Sequence, residues 1–364
     1  MKRLAKPFGY LAVPLLAAVG LACAPNPPPT ASAWKDKKPE TFVGSAACQP
    51  CHPAEFDSHR RTRHATTISE ATLADLGKNS PQTGPIPGGC KLQVGEDGTL
   101  AVDAPSSGGA GREALPLTFA LGSGKTGLTF LSIVREGSVE LHESYFPKDR
   151  TWRTTPGQET FTEGEVGRNY RVPETRRCLS CHVVAVPEDP IDLDRKFFGV
   201  GCESCHGPGG EHVERMKTLP TGQKPATLGI DSLTRLTGDG ANALCGKCHR
   251  TASDVSGMKA FEKDSTNRFQ PYGLSLSRCF KESGGTLTCV TCHSPHADAG
   301  TDPKPYETAC LSCHAGSGSK GKPCPVNPTT RCVACHMPTR PAMKNNPLPI
   351  AMADHFIRVY KNRR

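Results

Sequence analysis

Aromatic residues are scarce in this chain of 364 residues: Phe, Tyr and Trp make up 6% of it, and all apolar types together only 36%. Soluble domains ordinarily carry nearer half, so side chains alone are too few to fill a core of the expected size. Gly at 37 and Pro at 33 deepen the shortage. No fixed-period repeat runs through the sequence, which excludes a solenoid. The N-terminal apolar run, residues 11–21, is too short to be a membrane span. No Cys-x-x-Cys pair lacks a histidine directly after it, and no Cys-x-x-Cys-Lys variant occurs.

Cysteine is what the chain has in quantity. Of its 18 cysteines, 14 fall in seven copies of Cys-x-x-Cys-His. They are Cys48/Cys51/His52, Cys178/Cys181/His182, Cys202/Cys205/His206, Cys245/Cys248/His249, Cys289/Cys292/His293, Cys310/Cys313/His314 and Cys332/Cys335/His336. This is the signature of covalent c-type haem attachment. The two thiols add to the haem vinyl groups, and the adjacent imidazole becomes an axial ligand of the iron. Paired cysteines also build tetrahedral zinc sites, but zinc needs no histidine after each pair, and the chain has only 13 histidines. A disulfide framework leaves the same histidines unexplained. The sequence therefore reads as a seven-haem c-type cytochrome.

Haem also resolves the missing core. Each macrocycle is a large apolar slab, and its two thioether bonds pin backbone segments as staples do in small scaffolds. The fold class expected is a haem-cored multihaem cytochrome of short helices and loops, with a small antiparallel β-meander inserted. Without haem the chain is expected to be largely disordered.

The formal charge of +9 suggests an acidic partner such as nucleic acid. Haem cancels that reading. Removing Lys2, Arg3 and Lys6 with a leader, and adding two propionates against one ferric charge per haem, brings the chain close to neutral. Its lysines and arginines then serve the propionates, and the expected partners are redox proteins.

Residues 1–22 read as an export signal, with basic Lys2 and Arg3 ahead of the apolar run. Gly20-Leu21-Ala22-Cys23 resembles a lipobox, which would make Cys23 a lipid-modified membrane anchor behind the Pro-rich tether of residues 23–40. Cleavage by an ordinary signal peptidase is the other reading. Both place the protein outside the cytoplasm, in the periplasm or beyond.

The first motif stands alone in residues 41–89. Residues 53–67 are expected to form a helix beside it. Residues 90–150 read as a β-meander, with strand candidates at 91–94, 99–102, 115–121, 128–134 and 139–146 and a turn at 95–98. Its expected role is to cover the first haem and shape the subunit, the alternative being to dock a redox partner. Residues 151–364 carry the other six motifs, at first-cysteine spacings of 24, 43, 44, 21 and 22. The short steps leave room for one helix or loop, so those haems must be close in space.

Six histidines lie outside the motifs: His59, His64, His142, His212, His296 and His355. His212 and His296 follow directly on attachment segments, which lets each reach a neighbouring iron. His64 closes the first expected helix, and His355 lies in a C-terminal Asp-His-Phe-Ile. These four are the candidate distal ligands; His59 and His142 read as bystanders. Six rings cannot serve seven distal positions, so at least one haem needs another ligand or stays open. Met216, Met258, Met337, Met343 and Met352 are the alternatives, Met352 being the least constrained. Of the cysteines outside the motifs, Cys279 and Cys324 are the candidate disulfide and Cys90 the odd thiol.

Cys-Glu-Ser-Cys-His-Gly-Pro-Gly-Gly-Glu-His at 202–212, Cys-x-x-Cys-His-x-Pro-His at 289–296, and Cys-His-Met-Pro ending at 338 resemble the multihaem c-type cytochromes related to the nitrifiers' tetrahaem cytochrome and to hydroxylamine oxidoreductase. In that family histidines matching His64, His212, His296 and His355 are distal ligands. The chain departs from it in carrying His59 where an aromatic is usual and in lacking a helical repeat. The family contains both electron carriers and enzymes, so the resemblance does not choose between them. Electron transfer in an extracytoplasmic redox chain is the expected function. The alternative is an oxidoreductase acting on a small nitrogen or sulfur species at one open haem, for which no catalytic residue can be named.

Mass spectrometry of the denatured mature protein is expected to find seven haems bound. The double change Cys332→Ala, Cys335→Ala should remove one of them and destabilise the C-terminal block. A mature protein retaining fewer than seven refutes the count.

Overall fold

The computed structural model describes residues 41–105, 111–160, 166–220, 222–258, 266–315, 321–343 and 348–360. The expected leader (1–22), the tether (23–40) and Cys23 lie outside the described residues.

Strands dominate the first half: β1 (Ile68–Glu70), β2 (Gly84–Ile86), β3 (Cys90–Val94), β4 (Leu100–Pro105), β5 (Arg112–Pro116), β6 (Phe119–Leu121), β7 (Thr129–Val134), β8 (Gly137–Leu141), β9 (Glu143–Phe146), β10 (Thr151–Thr154) and β11 (Gly167–Arg171). In β3 and β4 the buried Cys90, Leu92, Leu100, Val102 and Ala104 alternate with more exposed neighbours, the period of two that gives a strand one apolar face. The turn expected at 95–98 joins them with Val94 opposite Leu100. Gly98 adopts φ 81°, and Asp97 accepts hydrogen bonds from the backbone N–H and hydroxyl of Thr99 at 3.0 and 2.7 Å. That is the side-chain closure Asp brings to turns.

The β region is larger than residues 90–150 and is not one meander. Four strands form an antiparallel sheet in the order β2-β3-β4-β5, five form another in the order β1-β6-β7-β8-β11, and β9-β10 make a separate hairpin. The sheets thus recruit β1 and β2 before the expected range and β11 after it. The strand candidate 115–121 is split at Leu117 and Thr118, where the chain passes from the first sheet to the second. The candidate 139–146 is split at His142 in the same way. Alternation reveals a strand but not the sheet it joins.

The helix expected over 53–67 is also shorter. Helix α1 (Pro53–His59) ends where the His59 carbonyl accepts from the Thr62 N–H and hydroxyl at 2.8 and 2.7 Å, and turns follow to β1. A threonine hydroxyl competing for a helix carbonyl stops the helix, and the segment has no apolar stripe to carry it further.

Two cores lie on opposite faces of β7. Phe130 points into one with Leu92, Leu100, Val102, Leu128 and Leu141. Leu131 points into the other with Phe42, Phe119, Leu179, Val183 and Phe197. Leu179 lies within the second attachment motif and Val183 directly follows it, so the five-stranded sheet packs there as well as against Phe42 ahead of the first. The region thus packs beside the second motif as well as the first. Nor does the whole chain lack a side-chain core, as the composition implied: residues 68–146 have their own.

The shortage is real farther on. Beyond residue 200 the buried aliphatic and aromatic side chains among the described residues are Ala241, Val255, Phe269, Leu274 and Ala342. There the chain is short helices and turns. After the one-turn α2 (Leu73–Leu76) come α3 (Val172–Leu179), α4 (Cys202–His206), α5 (Gly210–Thr218), α6 (Gly238–His249) and α7 (Ala252–Ser256), then helices Gln270–Leu276, Arg278–Glu282, Lys304–His314 and Cys332–His336. A last strand pair, Thr339–Pro341 with Ala351–Ala353, closes the C-terminal end. Among the described residues no helix is long and apolar enough to cross a membrane.

Replacing Phe130 by Ala should cost about 3–5 kcal/mol through the cavity it leaves. Thermal unfolding should show the β region melting early while haem content stays at the wild-type level.

Candidate haem sites

The attachment motifs lie in or beside short helical segments. The fourth and sixth occupy the C-terminal ends of α6 and of the helix Lys304–His314, and the second begins in the last turn of α3 and runs past it. The third and seventh are themselves the five-residue helices α4 and Cys332–His336. The fifth begins in a 3-10 turn at Cys289–Thr291, and the first follows one at Ser45–Cys48. A helical turn holds two cysteines three apart on one side of the backbone with the next residue beside them.

The four candidate distal histidines each face a motif histidine. Ring centroids stand 6.4 Å apart for His52 and His212, 6.0 Å for His64 and His249, 6.4 Å for His206 and His296, and 6.1 Å for His293 and His355. Two imidazoles sharing one first-row metal through bonds of about 2 Å place their centroids roughly 6 to 6.5 Å apart. The residues present therefore fit an iron between each pair. In every pair the two histidines come from segments far apart in sequence.

Hydrogen bonds orient the rings for that role. Nδ1 meets a backbone carbonyl in His182 (Thr67, 2.9 Å), His206 (Asp231, 3.3 Å), His212 (Leu228, 2.7 Å), His314 (Lys322, 2.9 Å), His336 (Arg358, 3.1 Å) and His355 (Ala353, 3.0 Å). A proton donated from Nδ1 leaves the Nε2 lone pair for a metal. Burial pushes His64, His182, His249, His293 and His355 below the ordinary imidazole range, which keeps these rings in the neutral, ligating form. His64 is set by close backbone approach: the Val200 N–H donates to its carbonyl at 2.8 Å. Gly199 before it has φ 82°, and a Cβ there would lie 2.1 Å from the Ala65 carbonyl oxygen.

Three motif histidines have no such partner. Among the described residues no histidine ring stands opposite His182, His314 or His336. His142 is engaged elsewhere, its Nε2 at 3.2 Å from the Gln158 carbonyl and its Nδ1 at 3.1 Å from Glu143. His59 meets His296 edge-on at 6.5 Å and 82°, beside that ring rather than across an iron from a motif histidine. The sulfur of Met352 lies 3.4 Å from the Gln270 amide, and that of Met343 lies 3.5 Å from Arg268. Gln270 in turn hydrogen-bonds His249, so Met352 braces the fourth motif from behind.

The attachment cysteines of different motifs adjoin one another. Cys48 hydrogen-bonds Cys202, Cys181 hydrogen-bonds Cys248, and Cys245 hydrogen-bonds Cys289. Cys205 is an electrostatic neighbour of Cys245, and Cys310 of both Cys292 and Cys332. The motifs thus follow in space as first, third, fourth, fifth, sixth and seventh, with the second beside the fourth.

Cys51 departs from the enclosed setting that a haem-cored fold implies for its attachment groups. It is exposed, as are Cys248 and Cys313. Its partner thiol, Cys48, turns inward to the third motif. Cys51 follows in the turn closed by its N–H donating to the Cys48 carbonyl at 3.3 Å, and it lies on the solvent side. Its electrostatic neighbour is Cys48 of its own motif, so the two thiols required by one haem stay together.

The expected disulfide is absent: Cys90, Cys279 and Cys324 are all free. Cys279 lies instead near Cys292, Cys310 and Cys313, and Cys324 near Cys332. Sequence reasoning missed Gln270 behind His249 and Thr67 behind His182, since neither lies near a motif in the chain.

Attachment motifs and facing rings together define the class of protein, a multihaem c-type cytochrome. Particular relatives fall in the same class. The family described as "Cytochrome c554 and c-prime" matches residues 142–207. The multihaem cytochrome MtrA of Shewanella baltica (strain OS185) is 27% identical over an alignment of 191 residues that covers 43% of this chain and 56% of that protein. The chain thus spans about half the length of the curated relative it matches. Among solved structures, the outer cell wall cytochrome OcwA superposes with a TM-score of 0.49 at 17% identity, covering 87% of this chain and 79% of that one. The undecahaem cytochrome from the S-layer of Carboxydothermus ferrireducens gives 0.46 at 17% identity over 89% and 53%.

Replacing His64, His212, His296 or His355 singly by Ala should each convert one low-spin haem to high-spin, read by electron paramagnetic resonance. Replacing His59 or His142 should leave the spin states unchanged.

Proposed function

We propose that the chain binds seven haem c groups and carries electrons along them in an extracytoplasmic redox chain. Haem c, when bound, supplies one-electron exchange at its iron. The protein holds each group at the paired cysteines and histidine of one motif. Four of them receive a second imidazole from His64, His212, His296 and His355. The single observation that carries the reading is the unbroken series of adjoining attachment cysteines from Cys48 to Cys332. A carrier needs neighbouring redox groups in contact range, and the adjoining attachment cysteines support that arrangement. The partners are other redox proteins. Export past the inner membrane, with Cys23 as a lipid anchor, and kinship with the nitrifiers' tetrahaem cytochromes belong to the same proposal. The family match over residues 142–207 supports the kinship.

The fourth site is the junction of this path, because its cysteines adjoin the second, third and fifth motifs. The second site is a side branch. With the protein tethered to an electrode by its C-terminal end, fast-scan voltammetry should pass seven electrons per wild-type chain, one for each motif. Cys245→Ala with Cys248→Ala should cut this to the three sites on the electrode side, whereas Cys178→Ala with Cys181→Ala should remove only one electron. Equal losses from the two variants would refute the path.

A second reading, reduction or oxidation of a small nitrogen or sulfur species, draws on His182, His314 and His336, which no histidine faces. Carbon monoxide should bind the ferrous protein at these positions if they are open. Turnover of nitrite, hydroxylamine or sulfite would move the reading from carrier to enzyme.

A further inference from the structure

Glu203, the second residue of the third motif, is 1% exposed. Its three hydrogen-bond donors are all backbone groups. Val43 and Gly209 donate to Oε1 at 3.0 and 2.7 Å, and Gly44 donates to Oε2 at 2.8 Å. A buried carboxylate is costly unless such bonds satisfy it, and bonds to an ionised acceptor are shorter and stronger than neutral ones. Accepting from all three donors, Glu203 ties together three stretches of chain.

Those stretches converge on one pair of rings. Residues 43–44 lead into the first motif and His52. Helix α4 carries the third motif. Gly209 belongs to the glycine turn that starts α5, from which His212 faces His52. The approach is close on every side. The Ser45 hydroxyl accepts from the Cys202 N–H at 3.1 Å, and Cys48 hydrogen-bonds Cys202. A Cβ on Gly210 would lie 2.9 Å from the Thr41 carbonyl oxygen, and one on Gly209 would lie 3.2 Å from Oε1 of Glu203. Side chains larger than glycine would force the turn away from the first motif.

We propose that Glu203 is a positioning residue for the first haem, fixing His212 opposite His52 from within the third motif. The inference rests on the reading of His52 and His212 as an axial pair. Glu203 itself touches no iron. It acts through the backbone on both sides of the pair, so that the first site is completed only when the third has folded.

Glu203→Gln tests the role, because the amide keeps one acceptor oxygen but turns a donor toward one of the three N–H groups. Gly209→Ala is the milder probe, its methyl meeting the same carboxylate oxygen. Both variants, purified with seven haems confirmed by mass, are expected to show one low-spin haem converted to high-spin at neutral pH, partly in Gly209→Ala. Added imidazole should restore the low-spin signal. His212→Ala serves as the reference. If it too leaves every haem low-spin, the axial pairing is overturned and the proposal with it. If it changes the spectrum while Glu203→Gln and Gly209→Ala do not, only the positioning role is overturned. Failure of both of these variants to retain seven haems overturns it in favour of a purely structural role.

Discussion

The shortage of buried side chains beyond residue 200 is the constraint on which the rest of the molecule depends. The few buried apolar side chains among the described residues there cannot compensate the conformational entropy of ordering the segment, at about 1–2 kcal/mol for each backbone unit. Covalently attached haem can, by adding apolar surface where side chains are missing and by closing loops in the unfolded chain. Glycine turns and short helices suffice in this half because their task is to present attachment groups rather than to pack on one another. The β region works differently. It carries two side-chain cores on the faces of β7, and one of them reaches across to Leu179 and Val183 around the second motif.

Facing histidines link the attachment segments to one another across the chain. The ring facing each of four motif histidines comes from another part of the chain: His212 for His52, His64 for His249, His296 for His206 and His355 for His293. No segment carries a complete proposed axial pair by itself. Such interlocking makes the contacts non-local, and the order of assembly must follow spatial rather than sequential neighbours. The Glu203 carboxylate belongs to the same design, since one side chain of the third motif accepts hydrogen bonds from the segment ahead of the first.

The proposed electron path has two parts. The first, third, fourth, fifth, sixth and seventh motifs run in series, and the second lies to the side beneath the five-stranded sheet. Its histidine is half-buried, anchored at Thr67, and among the described residues faces no other imidazole. A site that is off the main line, enclosed and differently surrounded would have a potential of its own, since burial and hydrogen bonding to the ligand both tune haem iron.

Local pattern determined much of this protein in advance. The attachment residues, the class they define, the four partner histidines and the strands around residues 90–146 were legible because each depends on short-range chemistry. A thioether needs a cysteine at a set spacing, and a half-buried strand needs alternation. Which histidine faces which motif, and the displacement of the second motif from the series, were decided only by tertiary structure. So were the outward placement of Cys51 beside an inward Cys48, the division of the strands among separate sheets at Leu117 and at His142, and the burial of Glu203 between two attachment segments. The reason is physical. A metal's second ligand is chosen by distance in space, and neither the spacing of residues nor their alternation records which distant segment will lie about 6 Å away.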